Sequence, residues 1–159
     1  GILEAHIANP ELGFVGEITR VNPNPIQIIT RSGFIPMIAP LAMHKHDGSP
    51  HAGKPLNING DTVAGEVARA MNAERIIFLT DVAGVMDGNG RVLNNLDQRR
   101  ANILRQSGVI RGGMIPKLEA CLIALENVPQ AEIIDGTKPE ALLNCVQGNS
   151  TGTKIVRSF

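Results

Sequence analysis

The sequence predicts an α/β fold, a largely parallel sheet covered by helices on both faces, and three observations carry that expectation. Short apolar runs such as "RIIFLT" at 75–80 have the length and composition of buried strands. Other segments carry apolar residues at helical spacing. In "GGMIPKLEACLIALENV" the residues Leu118, Cys121, Leu122 and Leu125 form an i, i+3, i+4, i+7 stripe. The two kinds of segment alternate along the chain, which is the pattern of a parallel sheet with helical crossovers.

Taken in order, "GILEAHIANPELG" (1–13) has weak periodicity and reads as loop or a turn of helix. "FVGEITRV" (14–21) alternates apolar and polar residues as a half-exposed strand does. "NPNPIQIITRSG" opens with Asn and Pro, which favour helix starts, and stops at Gly33. "FIPMIAP" (34–40) is continuously apolar and reads as a buried strand. Residues 43–54 are polar, rich in His and Gly, and read as loop. "GDTVAGEVARAMNA" places Val63, Ala64, Val67, Ala70 and Met71 on one helical face and feeds the strand at 75–80. "DVAGVMDGNGR" is a loop with a tight turn at 87–90, and "LDQRRANILRQSG" is a helix ended by Gly108. After the helix of 112–128 come a short strand "AEIID", a short helix "KPEALLNCV" and a last strand "TGTKIVRSF".

The 159 residues, 43% of them hydrophobic, suffice for a real core. Fifteen basic residues balance fifteen acidic ones, so no global field favours nucleic acid or an anionic membrane. With four Phe and no Trp or Tyr, stacking platforms for single strands are lacking too. No run approaches the roughly 20 apolar residues of a membrane span, and no secretion-signal pattern opens the sequence. A cytoplasmic protein is expected. Cys121 and Cys145 read as buried free thiols, in keeping with a reducing compartment. The first residue is Gly1 rather than Met, which fits a chain that begins inside a longer one.

Two stretches imitate sites. "GSPHAGKP" (48–55) fits the GxxxxGK part of a phosphate loop, but Pro55 stands where a magnesium-binding Ser or Thr is needed. His44, His46 and His51 lie near Asp47 at loose spacing in an unpatterned segment, which reads as solvated loop. No metal site is assigned.

Three others point to chemistry. In "GGMIPK", Gly112 and Gly113 let backbone approach a ligand, and Pro116 suits a first helical turn. Lys117 then lies in that turn, where cations are normally avoided but where an ammonium can meet a phosphate. In "NINGD", Asn57 and Asn59 offer amides and Asp61 begins a helix, either as its cap or as a holder for a lysine. The loop "DVAGVM" follows a buried strand at the carboxyl end, where α/β sheets place ligands.

"NINGDTVAGEVA", "FLTDVAGVMD" and "GGMIPKLEACLIAL", in this order, resemble the C-terminal half of N-acetyl-L-glutamate kinases. "ELGFVGEITRVNP", "GFIPMIAP" and the closing "GTKI" follow the same order, so the resemblance covers nearly the whole chain. It implies the amino-acid-kinase fold, which is carbamate-kinase-like: a three-layer αβα sandwich around a mainly parallel sheet. It implies transfer of the γ-phosphoryl group of ATP, with Mg2+, to the side-chain carboxylate of N-acetyl-L-glutamate in arginine biosynthesis. Asn57 would contact the acetylglutamate with Asn59 close by, and Asp61 would organise the catalytic lysines. Lys117 would stabilise the transferring phosphoryl group. Asp81, Val82, Ala83, Gly84, Val85 and Met86, with Gly112 and Gly113, would line the ATP site. Residues 1–56 would be the remnant of an amino-acid-substrate domain and 57–159 the nucleotide-binding domain. A homo-oligomer or a complementing N-terminal portion would be the partner.

The family's N-terminal Gly-rich turns, its substrate arginine and one of its two catalytic lysines do not precede "GILEAH". Losing one preorganised donor costs about 10²- to 10³-fold in rate, so these 159 residues alone are expected to be nearly inactive. Two other readings stay open: a non-catalytic nucleotide-binding or regulatory fragment, and a kinase for a carrier-linked aminoadipate.

Overall fold

A computed structural model describes residues 1–45, 48–49 and 51–157. The chain begins with strand β1 (Leu3–Ile7), a short 3-10 turn (Pro10–Leu12) and strand β2 (Gly16–Val21). Helix α1 (Asn24–Arg31), strand β3 (Leu41–His44) and strand β4 (Pro55–Asn57) follow. These strands form one sheet in the order β2-β1-β3-β4, with β1 parallel to β3 and the other two pairings antiparallel. Helix α2 (Gly60–Met71) leads to strand β5 (Ile76–Thr80), strand β6 (Asn95–Asp97), helices α3 (Gln98–Gln106) and α4 (Met114–Ala124), strand β7 (Gln130–Asp135), helix α5 (Ala141–Val146) and strand β8 (Thr153–Val156). The second sheet runs β5-β7-β8-β6 and is mainly parallel, with β7 and β8 antiparallel. The α/β class is as the sequence led us to expect. No helix among the described residues is long and apolar enough to cross a membrane.

Each sheet has its own apolar core. Leu3, Ala5, Ala42, Leu56 and Ile58 fill the first, while Phe78, Leu118, Leu125, Ile133 and Ile155 are among those filling the second. Helix α2 serves both. Its Val63 and Val67 pack on the first cluster and its Ala64 and Ala68 on the second, so its first turn stands at the junction. Helices α2 and α4 touch where Gly65 meets Ala120, and a Cβ on Gly65 would lie 2.6 Å from the Ala120 carbonyl oxygen. Asp61 precedes Gly65 by one turn and Lys117 precedes Ala120 by nearly one. The close crossing therefore brings the two first turns together.

Three local expectations are corrected. Residues 1–13 contain β1, whose alternating Leu3 and Ala5 are buried between β2 and β3; the short pattern was masked by its polar neighbours. Residues 34–40 form no strand: Ile35 and Met37 are 92% and 98% exposed, and Pro36 and Pro40 lack the N–H a ladder requires. The ladder starts at Leu41 instead. His44, read as solvated, is a buried residue of β3, its ring nitrogens 3.4 Å from the Ala5 carbonyl oxygen and 3.1 Å from Ser49 Oγ. His46 and Asp47 lie outside the described residues. Lys54 of the phosphate-loop imitation leads into β4 rather than a helix, so no helical N–H groups face it. Cys121 and Cys145 are buried free thiols.

Candidate functional site

Asn57 and Asn59 are exposed on either side of the buried Ile58, a consequence of the strand period at the end of β4. The Asn57 amide N–H donates to the Phe14 carbonyl, which fixes the backbone and leaves its side chain exposed. The cap of α2 is Asn59 rather than Asp61. Its Oδ1 accepts from the Asp61 and Thr62 N–H groups at 2.9 and 3.2 Å. Asp61 sits in the first turn, where a carboxylate is favoured by the positive helix end.

Lys117 lies in the first turn of α4, which has no side-chain cap and begins after Gly112 at φ +57 and Gly113 at φ −64. Its Nζ donates to both Asp61 oxygens, at 3.0 and 3.1 Å. The side chains are 23% and 20% exposed, so the pair is mostly shielded yet reachable. An ammonium has three N–H donors, and two are taken by Asp61. The third can meet an anion. Cys121, one turn further along α4, is held protonated by burial first and by the Asp61 charge second.

The loop after β5 carries the other expected residues. Val82, Gly84 and Met86 line a cavity of about 240 Å³ with Val109, Ile110, Arg111 and Met114. Val85 belongs to the same wall but is fully buried, so it forms the floor beneath and offers no surface. Asp81 and Ala83 are exposed and stand outside this lining, and Asp81 Oδ1 accepts from the Thr80 hydroxyl at 3.2 Å. The turn expected at 87–90 closes the loop: Asp87 accepts from the Asn89 and Arg91 N–H groups at 2.8 and 2.9 Å. Those two backbone bonds hold its carboxyl below the usual carboxylate range. Gly112 and Gly113 are exposed between Arg111 and Met114, adjacent to the cavity wall rather than in it.

The structure thus joins Asp61, Asn59 and Lys117 in one contact, and the loop with the approach to α4 in one cavity. Met114 belongs to the cavity wall, and Lys117 follows it by three residues on the same helix. Among the described residues, no hydrogen bond or ion pair joins the Asn57 side chain to the pair. Val109, Ile110 and Arg111 were missed, because they precede the glycine signal and carry no motif of their own. Among the described residues no three His, Cys, Asp or Glu side chains converge on a metal.

The profile of the amino acid kinase family matches residues 2–135. An acetylglutamate kinase from Helicobacter hepaticus is 46% identical over 136 residues, covering 85% of this chain and 47% of its own length. One from Oleidesulfovibrio alaskensis is 42% identical over 150 residues, covering 93% and 49%. The chain spans about half the length of the curated relatives it matches. A carbamate kinase from Giardia lamblia bound to AMP-PNP superposes with a TM-score of 0.70 over 91% of this chain and 47% of its own; at 16% identity this likeness bears on fold alone.

Proposed function

The chain belongs to the amino acid kinase family, and from that premise we propose that it forms the nucleotide-binding part of an acetylglutamate kinase. The reaction is transfer of the γ-phosphoryl group of ATP to the side-chain carboxylate of N-acetyl-L-glutamate, a step of arginine biosynthesis in the cytoplasm. The observation that carries the reading is the Lys117–Asp61 pair at an uncapped helix start beside the loop of Val82, Gly84 and Met86. Phosphoryl transfer asks for positioning and for cations against the phosphoryl oxygens, with no covalent intermediate. Lys117 supplies the cation and Asp61 aims it. The acceptor carboxylate is ionised at neutral pH and needs no base.

In this reading residues 57–159 bind ATP, whose base and sugar lie along the cavity wall with Arg111 and the Gly112–Gly113 backbone nearby. Residues 1–56 carry the acetylglutamate side, with Asn57 reaching the substrate and Asn59 holding the helix that presents Asp61. Magnesium has no cage of protein carboxylates among the described residues, and it would arrive as the counter-ion of the ATP phosphates, which is usual for this cation. The exposed apolar side chains of Ile28, Phe34, Ile35 and Met37, close together in sequence, support a covering partner, either a second copy or the remaining half of the family's length.

The test has two arms. Calorimetry with Mg-ATP on the 159-residue polypeptide is expected to show one site. Adding the N-terminal half of an acetylglutamate kinase and acetylglutamate, with hydroxylamine to trap acyl phosphate, is expected to restore turnover absent from either part. A folded mixture that binds ATP and makes no acyl phosphate would leave only a nucleotide-binding module, and the kinase reading would be abandoned.

A further inference from the structure

We propose that Thr153, in the closing "GTKI" stretch, is a positioning residue for the nucleotide loop, acting from the far strand β8 through the backbone of Val85. Thr153 is fully buried, and its Oγ1 accepts the Val85 N–H at 2.8 Å across 68 positions of sequence. The contact is built from both sides. Gly84 has φ +150, a conformation open to glycine, and a Cβ there would lie 2.6 Å from Thr153 Oγ1 and 3.1 Å from Thr153 N. Gly152, just before, would put a Cβ 2.1 Å from the Ile133 carbonyl oxygen, so β8 starts pressed against β7 where only glycine fits.

The Val85 carbonyl is held as well, accepting from the Leu93 N–H at 2.8 Å. Both peptide planes of Val85 are therefore fixed, and the neighbours that face the cavity, Gly84 and Met86, hang from a rigid point. Valine would fill the same space as threonine but accept nothing, leaving the buried Val85 N–H without a partner. The hydroxyl oxygen, and not the volume, is what the site requires. The inference rests on the nucleotide reading of the cavity.

The test uses the whole 159-residue chain, with amide hydrogen exchange of Val85 and calorimetry of Mg-ATP. In the unsubstituted chain the Val85 amide is expected to be strongly protected without ligand, a measurement that depends on no variant folding. Thr153→Val is expected to lose that protection locally, with Ile133 on β7 still protected, and to raise the Mg-ATP Kd about tenfold. Thr153→Ser, which keeps the oxygen, is expected to recover both. Unprotected Val85 in the unsubstituted chain, or equal effects of Val and Ser, would overturn the pin. A chain that binds no Mg-ATP yet shows oxygen-dependent protection at Val85 would instead sink the nucleotide reading and leave the pin standing.

Discussion

Removing the two members of the Lys117–Asp61 pair should not cost the same. At an effective dielectric near 20, two unit charges about 3 Å apart attract by roughly 5 kcal/mol, and desolvation of both ions offsets much of it. With both oxygens bonded and side chains 23% and 20% exposed, a net coupling of about 1–3 kcal/mol is reasonable. The helix ends break the symmetry. Asp61 alone still sits well in the first turn of α2, whereas Lys117 alone faces the positive end of α4, and each such interaction is worth about 0.3–1 kcal/mol. Asp61→Asn is therefore expected to destabilise more than Lys117→Met, by about 1 kcal/mol, and the double variant to cost less than the sum. For a chain of this size each kcal/mol moves Tm by about 2–4 °C, so urea and thermal unfolding resolve the cycle. A coupling below about 0.5 kcal/mol, the range of an exposed pair, would refute the reasoning, as would Lys117→Met costing more than Asp61→Asn.

Asn59→Ala is expected to destabilise by about 1 kcal/mol while Asn59→Asp, which can still cap, holds near the parent in urea titration. Gly65→Ala drives a Cβ into the Ala120 backbone, so α2 and α4 must part; a loss of about 1–3 kcal/mol in unfolding and weaker Mg-ATP binding are expected together. The Cys145 thiol is pushed from its ordinary 9.0 up to about 11, chiefly by burial and then by its bond to Glu132 Oε2. A raised folded value gives stability that is complete below pH 9 and lost as pH rises toward about 11, so the urea midpoint of the parent should fall over that window more than that of Cys145→Ala.

Much of this architecture was legible because local chemistry and fold agree. The strand at 76–80, the helices at 60–71 and 114–124 and the stop at Gly108 follow from apolar spacing and glycine placement. Where reading failed, the deciding interaction lay elsewhere in sequence. LEAHI is a strand because β2 and β3 pair with it on both sides, not because its own pattern is strong. Most of FIPMIAP is exposed, with only Ile38 packed on the first core, because its prolines cannot enter a ladder although its composition says core. His44 and Thr153 look like ordinary loop and strand residues until Ala5 and Val85 are brought against them from distant positions.

The candidate residue that the sequence points to most directly, Lys117, is the one that breaks a local rule. A lysine in the first turn of an uncapped helix is unfavourable by itself, and a purely structural ion pair could have been placed mid-helix without that penalty. Here the counter-charge comes from another helix start, where aspartate is favoured and where Asn59 has already satisfied the nearest N–H groups. Asp61 therefore spends its two oxygens on Lys117 rather than on capping its own helix. Asp61 offsets enough charge to keep Lys117 in place, and one ammonium N–H and the uncapped first turn of α4 are left for the phosphate that we propose binds there. A lysine kept at an uncapped helix start at a local cost in stability is what the proposed phosphate contact accounts for and packing alone does not.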